Sequence, residues 1–177
     1  MNTKKLLVIA AMCATTATAS YAGDWWVSAG SAPTAEGGGT SIAIATKGSN
    51  NFGFGLGMVF NSEFSNRELL DYPVPHNSYR NLGIKRTGNS LGLDGYYFFA
   101  NSTRMRPYVG MGLYYSPRAE VAQSTATATG WYYTQSTKSA TMLSGELGLQ
   151  FVSDSGFTFG AGYHTVRGAN VSFGKAF

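Results

Sequence analysis

The chain has 177 residues, of which 44% are hydrophobic, 14% aromatic and only 12% charged, with 23 glycines and a formal net charge of +4. That charged fraction is about half the roughly 25% usual in soluble globular proteins, while 11 Phe, 11 Tyr and 3 Trp exclude a solvated, disordered coil. No run approaches the ~20 apolar residues of a spanning helix, and no basic cluster is longer than Ile84-Lys85-Arg86, so nucleic acid is not expected as a partner.

The N-terminus reads as an export signal. Met1-Asn2-Thr3-Lys4-Lys5 is a short basic start, Leu6 to Ala14 is apolar but too short for a bilayer anchor, and Ser20-Tyr21-Ala22 places small residues around a cleavage site. Cleavage is expected after Ala22, with Ala19 as the alternative, which makes residues 1–22 a signal peptide and 23–177 the exported domain. The only cysteine, Cys13, lies inside the signal, and Met12 before it lacks the small side chain of a lipidation site. The exported domain therefore enters an oxidising space with no disulfide to hold it.

Alternation with period two follows. A β-strand sends successive side chains to opposite faces. Trp25, Val27 and Ala29 share one face of a first segment, and Ile42, Ile44 and Thr46 one face of a second. In Phe52-Gly53-Phe54-Gly55-Leu56-Gly57-Met58-Val59-Phe60 every even position is large and apolar, whereas three of the four odd ones are glycine. One face is then a continuous apolar ridge. The other is nearly bare, as a narrow and crowded interior requires.

Five more segments repeat the pattern. Leu91, Leu93, Tyr97 and Phe99 alternate with Ser90, Gly92, Asp94 and Tyr96; Val109, Met111, Leu113 and Tyr115 with Tyr108, Gly110, Gly112 and Tyr114. Leu143, Leu147, Leu149 and Phe151 alternate with Ser144, Glu146, Gly148 and Gln150, and Phe157, Phe159, Ala161 and Tyr163 with Thr158, Gly160, Gly162 and His164. The last sets Val171, Phe173 and Phe177 against Asn170, Ser172, Gly174 and Ala176, with Lys175 on the apolar side near the end, where a long stem can snorkel. Each segment has roughly the 9–11 residues of a tilted membrane strand. Aromatics cluster near segment ends (Trp25, Phe52, Phe60, Phe99, Tyr115, Phe151, Phe157, Phe177), as interfacial girdles do.

The connections alternate too. Gly48 to Asn51, Ala100 to Met105 and Ser153 to Gly156 are short and turn-forming; Ala32 to Gly39 is moderate, Asn61 to Arg86 and Pro117 to Lys138 are long, and Val166 to Gly168 is brief. Short turns at one end and longer loops at the other are the layout of an all-β, eight-stranded antiparallel transmembrane β-barrel of outer-membrane type. Closure leaves no unpaired backbone edge in lipid. The short side is then periplasmic, and a monomer is expected.

The signal peptide, Arg106-Pro107-Tyr108-Val109-Gly110-Met111-Gly112-Leu113 after a short turn, the Gly160-Ala161-Gly162-Tyr163 strand and the terminal Phe177 resemble the opacity-protein and outer-membrane-protein-A-like superfamily of small eight-stranded barrels. The resemblance spans essentially all of residues 23–177. It implies a Gram-negative outer-membrane protein in contact with membrane lipids and lipopolysaccharide, with Phe177 as the signal read by the outer-membrane assembly machinery. Lys175 departs from the apolar alternation usual there. Surface antigens, adhesins, small channels and lipid-modifying enzymes all belong to this superfamily, so fold does not choose function.

Candidate site residues are of two kinds. Asp94 and Glu146 lie at mid-strand on the inward face, where each needs a partner or water. Arg106 near the periplasmic rim, His164 near the outer rim and Lys47 share that phase. Because eight strands leave an interior only just wide enough for side chains, with Tyr96, Phe98, Tyr108 and Tyr114 filling it, a polar plug is favoured over an ion or solute path. The long loops supply the second kind. Residues 61–86 carry Tyr72 and Tyr79, with Arg67 to Pro73 as a short helix stopped by proline, and residues 117–138 carry Trp131-Tyr132-Tyr133. These aromatics either recognise a ligand or pack over the mouth and extend the strands above the membrane.

No catalytic constellation stands out. His76-Asn77-Ser78 has the His-x-Ser spacing of outer-membrane lipid A deacylases, but in a proline-flanked loop with no carboxylate helper. The two histidines are far apart in sequence and cysteine is absent from the exported domain, so no metal or other cofactor is expected. The expectation is a non-enzymatic surface protein, acting through its outer loops on the environment or a host ligand. A narrow channel or lateral path for small apolar solutes, as in outer-membrane-protein-W-like barrels, is the alternative, and a lipid A-modifying enzyme the third.

Overall fold

The computed structural model describes residues 23–33, 38–60, 69–70, 79–100, 104–125 and 131–177. The signal-peptide expectation, Tyr72 and the His76-Asn77-Ser78 triplet lie outside these residues. Of the helix expected over 67–73 only Leu69 and Leu70 are described, and they are strand rather than helix, because their backbone pairs in parallel with Tyr132 and Tyr133. The strands are β1 (Asp24–Ser31), β2 (Thr40–Lys47), β3 (Phe52–Val59), β4 (Leu69–Leu70), β5 (Tyr79–Arg86), β6 (Ser90–Phe98), β7 (Met105–Ser124), β8 (Tyr132–Val152), β9 (Phe157–His164) and β10 (Gly168–Lys175).

Eight of these strands close a ring. The order β1-β2-β3-β6-β7-β8-β9-β10 returns to β1 through the pairing of β10 with β1, and every neighbour is antiparallel. The eight alternating segments of the sequence are these eight strands. Val27, Phe54, Leu56, Leu93, Met111, Leu147 and Val171 point outward and are exposed, whereas Trp26, Tyr96, Phe98, Tyr108 and Tyr114 are buried inside. A belt of bare apolar side chains around a filled interior is the surface of a transmembrane barrel of outer-membrane type. Near the short-turn end the belt becomes aromatic: Phe52, Tyr97 and Phe99 stack edge to face, and Phe173 packs on both Phe157 and Phe159. Lys175 reaches along this rim, its Nζ donating to Ser155 O at 2.9 Å and lying 4.5 Å from the Phe157 ring centre.

Inward glycines are sockets for inward tyrosines. A Cβ on Gly92 would meet Cγ of Tyr114 at 2.4 Å, and one on Gly148 would meet Cζ of Tyr108 at 2.4 Å. Gly95, on the lipid side of the same strand as Gly92, has only Met111 O at 3.8 Å. We expect Gly92→Ala to lower the unfolding free energy by about 1–3 kcal/mol through overpacking. Gly95→Ala should leave it unchanged or slightly raised, since alanine restricts the unfolded chain. Urea midpoints at unchanged slope check this, and equal midpoints would show that Gly92 does not face the interior.

The structure departs from the loop expectations above the ring. β6 covers β7 only as far as Tyr115, and β9 covers β8 only as far as Glu146. Beyond these points the two long strands stay paired up to Gln123↔Tyr132. Residues 117–138 are thus mostly hairpin rather than loop, rising about 30 Å along β7 past the rim at roughly 3.3 Å per residue. β5 adds to the hairpin on the β7 side and β4 on the β8 side, the latter in parallel. The period of two is broken here by the register shift between Glu120 and Val121, which leaves Val121 and Ala122 both buried. A strand whose phase slips reads as a loop.

Candidate functional site: a filled lumen beneath an outer hairpin

The lumen is packed in layers. At the short-turn end, Asp24 accepts a hydrogen bond from Arg106 and lies 3.8 Å from Lys47 Nζ, which donates to the carbonyls of Gly48 at 3.1 Å and Asn50 at 3.2 Å. Arg106 therefore holds the short-turn rim and is not among the partners of Asp94 or Glu146. Above it lies an apolar layer of Trp26, Ala45, Tyr96, Phe98 and Tyr108.

The next layer is ionic. Glu146 Oε2 accepts from Arg167 at 2.5 Å, while its Oε1 accepts from Tyr108 and from Asn170, both at 3.2 Å. Asp94 Oδ2 accepts from Tyr114 at 2.6 Å and lies 3.6 Å from the Arg167 guanidinium; its Oδ1 accepts from Ser144 at 3.3 Å. The guanidinium further donates to Ser28 Oγ at 3.0 Å and to Tyr96 Oη at 3.2 Å. One buried cation thus links strands β1, β6 and β8, and three tyrosine hydroxyls complete the network, those of Tyr108 and Tyr114 on the carboxylates and that of Tyr96 on the guanidinium. Asp94, Glu146 and Arg167 are all buried, and Arg167 is only 1% exposed.

Arg167, at the centre of this layer, is a residue that sequence reasoning missed. It stands in the turn between β9 and β10, outside any alternating segment. Gly168 follows it with φ at +77°, a conformation that favours glycine, and a Cβ there would meet Ser31 O at 1.9 Å. The chain can therefore reverse sharply and send the arginine down into the mouth, where Ser41 Oγ donates to its carbonyl at 2.8 Å. Two phase-matched acids with no cation on their own level were the signal for such a partner.

His164 completes the layer. Its Nδ1 accepts from the backbone N–H groups of Val166 at 3.0 Å and Arg167 at 2.9 Å, and its Nε2 lies 3.1 Å from Asp94 Oδ1. A nitrogen that accepts carries no proton, so the proton sits on Nε2 and is donated to Asp94. This side chain is neutral. Sequence spacing put no metal-ligand cluster in the chain, yet the fold brings ligand atoms of Asp94, Glu146 and His164 within 4.8 Å of one another. Arg167 already supplies the positive charge at that point, and the Nε2 proton faces Asp94 where a metal would need a lone pair. The donors fit an internal ion-pair network better than a metal centre.

The loop aromatics separate. Trp131 is 50% exposed at the far end of the described β7–β8 pairing, where its carbonyl accepts from Ser124 N, and Tyr79 is exposed at the start of β5. Tyr132 packs with Leu69 and Leu82 against Ala119 and Val121, and Tyr133 is buried. Extension and packing thus account for Tyr132 and Tyr133, while Trp131 and Tyr79 remain available. The terminal Phe177 is exposed at the short-turn end.

No protein-family model and no curated protein matches the chain. Among solved structures it is similar to Neisserial surface protein A, at 14% identity over 88% of this chain and 97% of that one, with a TM-score of 0.49. It is also similar to Ail, the attachment invasion locus protein of Yersinia pestis. One Ail structure matches at 14% identity over 86% and 93% of the two chains, with a TM-score of 0.42. A second, in complex with the heparin analogue sucrose octasulfate, matches at 16% over 86% and 94%, with a TM-score of 0.39.

Proposed function

We propose that the protein is a non-enzymatic barrel of the bacterial outer membrane, closed to solutes, which meets the cell's surroundings through the hairpin that β7 and β8 raise above the rim. The observation that carries this reading is the hairpin itself: β7 and β8 stay paired far past the point where β6 and β9 end. Long strands beyond the lipid add nothing to membrane insertion; together with β5 beside them they form a rigid base on which Trp131, Tyr79, Arg80 and Lys138 are exposed. The lumen supports the closed state, because Asp94, Glu146, His164 and Arg167 are committed to one another. The partner class is an extracellular or host-surface ligand, with outer-membrane lipids and lipopolysaccharide around the belt.

Heterologous bacteria expressing the full chain should adhere to epithelial cells severalfold better than vector controls. A version with residues 119–136 replaced by a tight turn should fall back to the control while still folding, as judged by its heat-modifiable mobility. Equal adhesion of the two would remove the hairpin from the function. In planar bilayers at neutral pH, demonstrably folded protein should show no discrete conductance steps. Reproducible steps would assign transport instead, and a changed lipid A mass on expression would assign an enzyme.

A further inference from the structure

The His164 ring sits between a carboxylate and a turn, and each of its nitrogens does a different job. Nε2–H donates to Asp94, and Nδ1 is the shared acceptor for the Val166 and Arg167 amides. Those two amides define the turn that carries the Arg167 guanidinium to Glu146 and Asp94. We infer that His164 is a proton-operated latch: a second proton, on Nδ1, cannot coexist with the two N–H donors, so acid opens the Thr165–Gly168 turn and loosens the arginine in the barrel mouth. The inference deepens the closed-lumen reading and rests on it.

The sign follows from what each state binds. The closed turn excludes the Nδ1 proton and the open turn admits it, so lowering the pH favours the open turn. Imidazole is the side chain whose charge ordinarily changes between about pH 5 and 8, and this end of the barrel faces the outside. The groups around His164 are few. Asp94 on β6 accepts its Nε2–H, the Tyr114 ring of β7 lies 5.0 Å away edge on, and Glu146 is its register partner on β8. Arg167 comes from the turn itself. Asp94 continues to accept from Nε2 after protonation and then faces an imidazolium, so one of the two carboxylates gains a second source of positive charge. The Arg167 guanidinium is less needed at Asp94 in that state.

The test is ¹⁵N NMR of the full barrel in detergent micelles from about pH 8 to pH 5. At the upper end Nδ1 should show the shift of an unprotonated nitrogen and Nε2 that of a protonated one. On acidification the exchange protection of the Val166 and Arg167 amides, corrected for intrinsic rates, should fall by roughly fivefold to tenfold, the size of one lost hydrogen bond. The fall should track imidazole protonation, while the Leu93 and Ser172 amides of the barrel wall keep theirs. In His164→Asn a side-chain oxygen near the Nδ1 position caps the same amides and does not titrate, so protection there should be independent of pH.

A proton found on Nδ1 at pH 8, an imidazole that stays neutral throughout, or turn amides whose protection ignores its protonation would each overturn the latch. The wild-type titration decides the matter even if His164→Asn fails to fold. Discrete conductance at neutral pH would sink the closed lumen separately, without touching these amides.

Discussion

Replacing Arg167 with methionine should lower the unfolding free energy of the barrel by about 3–5 kcal/mol, the usual cost of breaking a buried ion pair from one side. Methionine keeps most of the stem volume, so the loss isolates the charge. Glu146 would be left with only Tyr108 and Asn170, and Asp94 with Tyr114, Ser144 and His164. Arg104–Asp154 in the short turns is the control. Both pairs have an N···O distance of 2.5 Å, but the Arg104 and Asp154 side chains are 67% and 78% exposed whereas those of Arg167 and Glu146 are 1% and 3%. Distance being equal, burial decides the outcome: Arg104→Met should cost no more than about 1 kcal/mol. Adding Glu146→Gln to Arg167→Met should recover part of the loss, because one of the two orphaned charges is then gone while Asp94 stays without its cation. The readout is the urea midpoint of protein folded into liposomes. Similar midpoints for the two single variants would mean that Arg167 does not hold the lumen.

The difference between Arg167 and Glu146 also marks what could be read from the chain in advance. Glu146 and Asp94 occupy strands, where a period of two fixes the face of every residue once a few apolar positions are known. Strand positions, the polar interior, the outward girdle and the inward tyrosines all follow from that one rule. Arg167 occupies a turn between β9 and β10, and turns have no period; its direction comes from the φ of Gly168 and from the acids waiting below. The hairpin was hidden for a related reason. Its phase slips at Glu120 and Val121, and its pairing with β5 carries a further shift at Asn81 and Gly83. Ala119 and Ala122 are also too small to advertise a buried face. Asp24 was missed because the apolar face that marks its strand begins only at Trp25, so Asp24 falls just before the segment, although it anchors both Lys47 and Arg106.

Leu56→Arg should cost about 2–4 kcal/mol, because the charge would lie near the bilayer midplane. Leu56 is half exposed on the middle of β3, level with Ile44 of β2 and Leu93 of β6, with no charged neighbour in its row. Ile84 on β5 is the matched comparison. Its exposure is 52% against 50% for Leu56, so a calculation that counts only uncovered area treats the two alike. Ile84, however, is the register partner of Glu120, which accepts a hydrogen bond from Asn81 at 3.0 Å. Such a polar row belongs in water, and there Ile84→Arg should stay within about 0.5 kcal/mol. The two substitutions together find the membrane boundary on a single wall of the barrel. Unequal urea midpoints in the expected order put that boundary between the β3–β6 belt and the β5–β7 extension. Equal midpoints would put Leu56 out of the lipid or Ile84 into it, and in the second case the hairpin would be buried in the bilayer rather than presented to the outside.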